Sequence, residues 1–174
     1  MMLDPLVEQI KARVSQPGQR TLMEAKYGMP AKHFRPPATP AQVEAAETTL
    51  GLRLPDLVRD LYLHVGGGGF GPGYGIVGLD DGTPYNCPQL VEFTLKHRDM
   101  ERMLESIGDS LPGWSWQHGY IPYCDWGDAV LTVFDCGDPT YPVYCMDGLE
   151  FGRHSSGTLR QWWQDWLDGM IRQS

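Results

Sequence analysis

Residues 39–79 read TPAQVEAAETTLGLRLPDLVRDLYLHVGGGGFGPGYGIVGL and decide the fold, because they predict two helices, a glycine-rich turn and a strand in that order. Thr39, Pro40 and Gln42 form a capping box with proline at the first helical position, where its missing N–H costs no hydrogen bond. Gly51 then supplies the left-handed residue that ends this first helix.

A second helix is predicted over residues 55–65, PDLVRDLYLHV. Its apolar side chains fall on one stripe of the helix surface, at Leu57, Val58, Leu61, Tyr62 and Val65. The glycine-rich run that begins at Gly66 therefore follows a helix directly.

That run, HVGGGGFGPGYG at residues 64–75, contains seven glycines in twelve positions and allows three interpretations: a phosphate cradle, a linker or a turn. A phosphate cradle needs a strand before the glycines and a helix after them. Here the order is reversed, and no Lys or Arg occurs between Arg59 and Lys96. A flexible linker would lack the aromatic residues and the proline inside the run. We therefore predict a turn, in which Gly66 takes the positive φ that ends the helix.

The rest of the chain predicts further helices and an antiparallel meander. Residues 4–14 fit a short amphipathic helix, 15–38 an irregular covering segment, and 88–106 a third long helix. Three runs, GYIPYC, AVLTVFDC and PVYCMD, have strand composition and turn residues between them. Ser155 and Ser156 are expected to cap a final helix, TLRQWWQDWLDGMI, that buries at least two of its three tryptophans. The fold class is therefore α+β, built on a mostly antiparallel sheet with helices around it and a Trp-rich helix at the C-terminus.

Length and composition predict a single domain over residues 1–174, with an N-terminal helix and covering segment at 1–37 and the core at 38–174. The start of the chain lacks the apolar region of a signal peptide, and no apolar run approaches the roughly 20 residues of a membrane span. The four cysteines form no CxxC pair, which is typical of reduced thiols. A cytoplasmic protein is expected.

The charge of the chain indicates what kind of partner it has. The formal net charge is −8, and residues 61–174 carry six Lys/Arg against fifteen Asp/Glu. Nucleic acid is excluded as an expected partner, because binding phosphates needs a basic surface. A basic protein is the better expectation, since an acidic field attracts it and accelerates its arrival.

Six acids lie between residues 120 and 150 with no Lys or Arg among them: Asp125, Asp128, Asp135, Asp138, Asp147 and Glu150. Clustered carboxylates can bind a divalent cation or perform acid/base chemistry. Aspartates also belong in turns, where they form local hydrogen bonds. The alternative interpretations of these acids, in order of preference, are turn residues on a solvated face, a protein-binding face and a metal site.

No motif assembles an active site. The five histidines are dispersed without HExxH spacing, so zinc is not supported, and G-x-S-x-G is absent. A nucleophilic Cys87 or Cys124 beside His118 has no positive support. We predict no enzymatic activity, no cofactor and no metal.

The predicted partner-binding face is an acidic, aromatic-rich edge formed by the glycine-rich turn and the hairpin loops. Aromatic residues and acids outside regular elements supply anchors and steering charge to interfaces. The face comprises Phe70, Tyr74, Asp80, Asp81, Tyr85, Trp114, Trp116, Asp125, Trp126 and Asp128.

The order of these elements over residues 38–170 resembles the SUKH superfamily. The shared features are a Pro-led helix ending in Leu-Gly, an LP dipeptide opening a second helix, a glycine-rich turn into a strand, and a later meander followed by a Trp-rich helix. Many members carry Asn before the first turn glycine, where this chain has Val65.

The resemblance implies a strongly bent sheet and a non-catalytic protein-binding role. Bacterial members are commonly immunity proteins that neutralise a cognate toxin, often a nuclease or other nucleic-acid-modifying enzyme, and eukaryotic members are regulatory interaction modules. The leading prediction is an immunity protein against a basic toxin. An intracellular regulatory scaffold is the alternative, followed by a small-molecule or enzymatic role.

Overall fold

A computed structural model describes residues 2–31, 34–79, 89–108, 115–148 and 150–171. The elements follow the chain as α1 (Pro5–Val14), α2 (Leu22–Tyr27), α3 (Pro40–Leu50), α4 (Asp56–His64), α5 (Leu90–Ser106), β1 (Tyr120–Asp125), β2 (Val130–Asp135), β3 (Pro142–Asp147), β4 (Glu150–Thr158) and α6 (Leu159–Leu167). The predicted α+β class and the C-terminal Trp-rich helix are confirmed.

The capping box of α3 forms as its sequence predicts. Thr39 Oγ1 accepts a hydrogen bond from the Gln42 backbone N–H at 3.3 Å, and Gln42 Oε1 accepts one from the Thr39 N–H at 2.8 Å. Gly51 ends the helix with φ of 68°. Both signals are local in sequence, which explains why the bounds of this helix could be predicted.

The sheet is an antiparallel meander in the order β1-β2-β3-β4. Residues 74–77 add a short fifth strand to the sheet, along the free edge of β1. There the Val77 N–H donates to the Tyr123 carbonyl at 2.7 Å. The pairing register shifts between Pro122 and Cys124 in β1, and again near the start of β3. Register shifts of this kind bend a sheet.

β4 corrects one prediction. Ser155 and Ser156 lie within this strand rather than at the helix cap. The cap of α6 is Thr158, whose side chain accepts from the Gln161 N–H at 3.3 Å. The strand escaped prediction because its sequence, EFGRHSSGT, is polar and glycine-containing and does not alternate, so only pairing with β3 defines it.

The final helix buries more aromatic surface than its sequence predicts. Trp162, Trp163 and Trp166 all have 0% exposure, where two buried tryptophans were the minimum expected. The helix packs against β4 and β3 on one side and against α1 on another. A larger part of the circumference of α6 is therefore buried than packing against the sheet alone would bury.

The glycine-rich run folds back on the segment that follows it. Gly69 N–H donates to the Ile76 carbonyl at 2.9 Å, and Leu79 N–H donates to the Gly67 carbonyl at 2.8 Å. The prediction for Gly66 is wrong, because Val65 caps α4 in the right-handed region and positive φ begins at Gly68. The run is a turn whose two arms are hydrogen-bonded to each other.

The N-terminal segment holds the outer side of this turn. Gly71 N–H donates to the Arg20 carbonyl at 2.7 Å, and Arg35 N–H donates to the Gly68 carbonyl at 3.1 Å. Within the segment, α2 departs from the irregular chain expected for residues 15–38. Thr21 caps the start of α2, because its side chain accepts a hydrogen bond from the Glu24 N–H at 2.9 Å.

Arg13 joins α1 to the end of α6. Its Nη1 donates to the carbonyls of Trp166 at 2.7 Å and Leu167 at 3.1 Å, and its guanidinium lies 4.3 Å from the Trp166 ring centroid. A cation that caps a helix C-terminus satisfies carbonyls that have no partner within the helix.

Replacing Arg13 by methionine is therefore expected to lower the free energy of unfolding by about 2 kcal/mol, because two charge-assisted hydrogen bonds are lost. Urea denaturation measures the effect. Lys11→Met is the control, since Lys11 is an exposed residue of the same helix. Equal stability of the two variants would contradict a clamping role for Arg13.

The two faces of the sheet have different surroundings. One face packs into the main core with α6, α1 and α4. The other carries a separate apolar cluster of Trp116, Leu131, Val133 and Met146, with Phe93, Tyr120, Tyr144 and Phe151 packed against it. We call this second side the outer face, and α5 covers part of it through Phe93.

Candidate functional site

Two turns bring four acids to one end of the sheet. In the antiparallel meander, Val130 at the start of β2 pairs with Asp147 at the end of β3, so the β1–β2 and β3–β4 turns are neighbours. We name this the acidic end, which consists of Asp125, Asp128, Asp147 and Glu150. Residues 103–152 contain no Lys or Arg, so no basic side chain from that stretch neutralises these carboxylates. Asp135 and Asp138 lie at the opposite end.

The β1–β2 turn is held in one conformation. Asp125 Oδ1 accepts the Gly127 N–H at 2.8 Å, and Trp126 turns inward, where its Nε1–H donates to Thr132 Oγ1 at 2.8 Å. Gly127, Asp128 and Ala129 take successive left-handed φ angles of 81°, 50° and 64°. Left-handed φ is unfavourable for alanine, so the surrounding hydrogen bonds must hold the turn in place.

The glycine-rich turn meets this hairpin through Tyr74. The Tyr74 N–H donates to the Asp125 carbonyl at 3.0 Å, and its side chain is 41% exposed. A Cβ placed on Gly127 would lie 2.9 Å from Tyr74 Cε2, so the ring lies directly against that glycine. The structure thus places Tyr74 against the β1–β2 turn, which also carries Asp125 and Asp128.

A groove of about 450 Å³ opens beside the acidic end, between α5 and the outer face. We call it the α5–sheet groove. It is lined by Phe93, Lys96, His97, Met100, Asp125, Gly127, Asp128, Ala129, Leu131, Met146 and Gly148. The groove therefore combines apolar side chains from α5, β2 and β3 with carboxylates from the β1–β2 turn.

His97 fixes the wall of the groove. Its Nδ1–H donates to the Phe93 carbonyl at 2.8 Å, and its ring stacks on Trp116 with centroids 4.7 Å apart. Burial lowers the pKa of His97, because the charged imidazolium would lose its hydration. The neutral ring thus serves as a packed aromatic spacer between α5 and the outer face.

Three aromatic residues of the predicted face point inward. Phe70 has 0% exposure and stacks on Trp163, with centroids 5.8 Å apart, so it belongs to the core and not to a docking surface. Trp116 and Trp126 are also buried, at 6% and 5% exposure. The backbone of the glycine-rich turn points the Phe70 side chain into the core, toward α6. This removes Phe70 from the surface on which the sequence placed it.

The other predicted residues divide into two groups. Asp80, Asp81, Tyr85 and Trp114 lie outside the described residues. Tyr74, Asp125 and Asp128 remain on the surface, and their role in binding stays a prediction. Sequence reasoning missed the groove residues of α5, although the apolar spacing of Phe93, His97 and Met100 was a usable signal.

The described thiols are poorly suited to nucleophilic chemistry. Cys124 is buried and its Sγ–H donates to the Pro72 carbonyl at 3.1 Å, while burial raises the pKa of its thiol. Burial also raises the pKa of Cys136 to about 12. Within the ranges that the structure describes, no three His, Cys, Asp or Glu residues are grouped so as to hold a metal ion.

Among the described helices, none has the length and apolarity needed to cross a bilayer.

Comparison with known families gives one match. The model of the SMI1 / KNR4 family (SUKH-1) matches residues 37–171, which contain every element from α3 to α6 and both walls of the groove. Searches of curated proteins and of solved structures found no significant match.

Proposed function

We propose a function from one premise: the chain belongs to the SMI1 / KNR4 family (SUKH-1). Membership is consistent with a non-catalytic immunity or interaction module. Our proposal is that the chain is a cytoplasmic immunity protein that binds a basic toxin and neutralises it by occupying its surface. No catalytic step is required of the immunity protein.

The observation that carries this proposal is the acidic end of the sheet. Asp128, Asp147 and Glu150 are exposed there, beside a stretch of 50 residues, 103–152, without Lys or Arg. Such a surface produces a field that attracts basic proteins and repels nucleic acid. A toxin that acts on nucleic acid has a basic site of its own, which this surface can cover.

The proposal is tested by co-expressing the chain with the protein encoded by the adjacent gene. We expect a stoichiometric complex that survives gel filtration and a toxin that no longer arrests growth. If the adjacent product is harmless when expressed alone, yet binds this chain, a regulatory scaffold is favoured instead. Turnover of a substrate by this chain alone, without the partner, would argue for an enzyme.

Neutralising the β1–β2 turn is expected to slow association. The double variant Asp125→Asn/Asp128→Asn keeps a side-chain acceptor for the Gly127 N–H and tolerates the left-handed φ of residue 128. The association rate with the toxin should fall about three- to tenfold at low salt and become less salt-dependent. Surface-based kinetics over a salt series measures both quantities.

The matched control is Asp135→Asn/Asp138→Asn at the opposite end of the sheet. These two aspartates also accept backbone hydrogen bonds, from Gly137 at 2.7 Å and Thr140 at 2.8 Å, so the change in charge and geometry is equivalent. The control should associate at nearly the wild-type rate. Equal slowing by both pairs would mean that net charge alone matters, and the acidic end would lose its assignment as the binding face.

A further inference from the structure

The α5–sheet groove is lined by apolar side chains that lie next to charged ones. Met100 on its wall is 38% exposed, and Met146 on its floor is 8% exposed. Methionine side chains are flexible and polarizable, so they adapt to an apolar group that enters between them. Leu131 completes the floor from β2. The interior of the groove is therefore suited to an apolar side chain.

The apolar surface continues along α5 beyond the groove. Met103 and Ile107 are 57% and 67% exposed and follow Met100 at helical spacing. A stripe that runs from Phe93 to Ile107 thus begins inside the groove and ends on the open surface. Contiguous exposed apolar surface bordered by charge is typical of a protein interaction site.

Charge complementarity selects the occupant. Asp125 and Asp128 line the groove on the side of the β1–β2 turn, and Lys96 is the one basic side chain among the described lining residues. Lys or Arg beside an apolar anchor would reach these carboxylates. A second copy of the chain is disfavoured, because two molecules of net charge −8 repel each other.

We propose that the α5–sheet groove is the anchor pocket of the complex, and that it takes one leucine, methionine or phenylalanine side chain from a Lys/Arg-rich segment of the toxin. This inference rests on the proposed function and specifies the partner's chemistry. The acids of the β1–β2 turn set the rate of arrival, whereas the apolar anchor sets the lifetime of the complex.

The groove can be tested without the toxin by NMR of protein labelled on its methionine methyl groups. Met100 and Met146 report on the groove, and Met170, 68% exposed at the end of α6, reports on unspecific binding. The probes are the peptides KKLKK, KKGKK and EELEE, together with N-acetyl-leucinamide. We expect KKLKK to shift the two groove methyls and to bind about tenfold tighter than KKGKK, because it buries a leucine side chain.

The other two probes decide the occupant class. EELEE should leave the Met100 and Met146 signals unshifted, because its carboxylates are repelled by those of Asp125 and Asp128. N-acetyl-leucinamide should bind more weakly than KKLKK. If it binds as tightly as the peptide, the groove is a small-molecule site and the inference is overturned. Equal shifts of Met170 and the groove methyls with KKLKK would overturn it as well.

The toxin complex gives a second readout that separates this inference from the proposed function. Met100→Trp fills the mouth of the groove and should make the complex dissociate about tenfold faster with little change in association. Met170→Trp, at a residue that is 68% exposed beyond the end of α6 and away from both the groove and the α5 stripe, should stay within about twofold of wild type. A normal complex with Met100→Trp refutes the groove and leaves the immunity role standing. Selective KKLKK binding without any toxin complex supports the groove and refutes that role.

Discussion

Replacing Trp163 by alanine is expected to lower the free energy of unfolding by about 3–5 kcal/mol, close to the whole stability of a typical domain. Trp163 has 0% exposure and lies at the centre of an aromatic cluster. Its ring centroid is 5.2 Å from that of Trp162, 5.5 Å from that of Trp166 and 5.8 Å from that of Phe70. The variant would leave a large cavity where α6 meets the glycine-rich turn.

Urea denaturation of the purified variant measures this loss, and poor soluble expression is expected to accompany it. Trp163→Phe keeps a ring in place and should recover a substantial part of the stability. Tyr27→Ala is the surface control, because Tyr27 is 61% exposed, and it should change stability by less than about 0.5 kcal/mol. A native-like melting temperature for Trp163→Ala would mean that α6 is not part of the core.

The helices could be predicted because their signals are local in sequence. Thr39 and Gly51 lie within a few residues of the backbone groups that they cap, and both behave as predicted. The same kind of signal was present for α2, where Thr21 caps the start and Gly28 ends the helix with φ of 66°. The density of glycine and proline around α2 obscured that signal.

The features that escaped prediction depend on contacts distant in sequence. β4 is a strand because it pairs with β3. The three tryptophans of α6 pack against partners that are distant in sequence: Trp162 against Tyr123, Trp163 against Phe70 and Trp166 against Arg13. The direction of an aromatic side chain in a turn is decided in the same way. Phe70 stacks on Trp163, and the residues near Phe70 in the sequence do not predict this contact.

The candidate site also has one part that depends on local sequence and one part that depends on contacts distant in sequence. The acidic end could be predicted in part, since Asp125 and Asp128 are turn residues and turns lie at the surface. The α5–sheet groove could not, because Met100 and Met146 become neighbours only when the helix packs across the outer face. Sequence thus identified the charge at the site, and the fold supplies its apolar half.

Gly68→Ala should have an effect as large as the loss of Trp163, for a different physical reason. Gly68 has φ of 135°, and a Cβ placed on it would lie 2.4 Å from the Cα of Gly78. The clash is with backbone, so no side-chain rotation relieves it. The left-handed φ costs about 1–3 kcal/mol and the overlap about as much again, which gives a loss of about 2–6 kcal/mol.

Two other glycines separate these contributions. Gly18 has φ of 79°, and a Cβ placed on it would meet nothing within 4 Å, so Gly18→Ala should cost only the backbone strain of about 1 kcal/mol. Gly152 has open space and no positive φ, and Gly152→Ala should be neutral or slightly stabilising within β4. Urea denaturation of the three variants should therefore give three distinct midpoints.

The result also bears on the proposed binding face, because the segment that Gly68 packs against leads into the edge of β1. Residues 76–79 hydrogen-bond back to the glycine run, and Tyr74 between the two arms contacts the β1–β2 turn. Separating the arms would displace Tyr74 from Asp125, so any folded Gly68→Ala protein should associate with the proposed toxin partner more slowly than wild type. If Gly68→Ala is no less stable than Gly18→Ala, close backbone packing is not what requires glycine here.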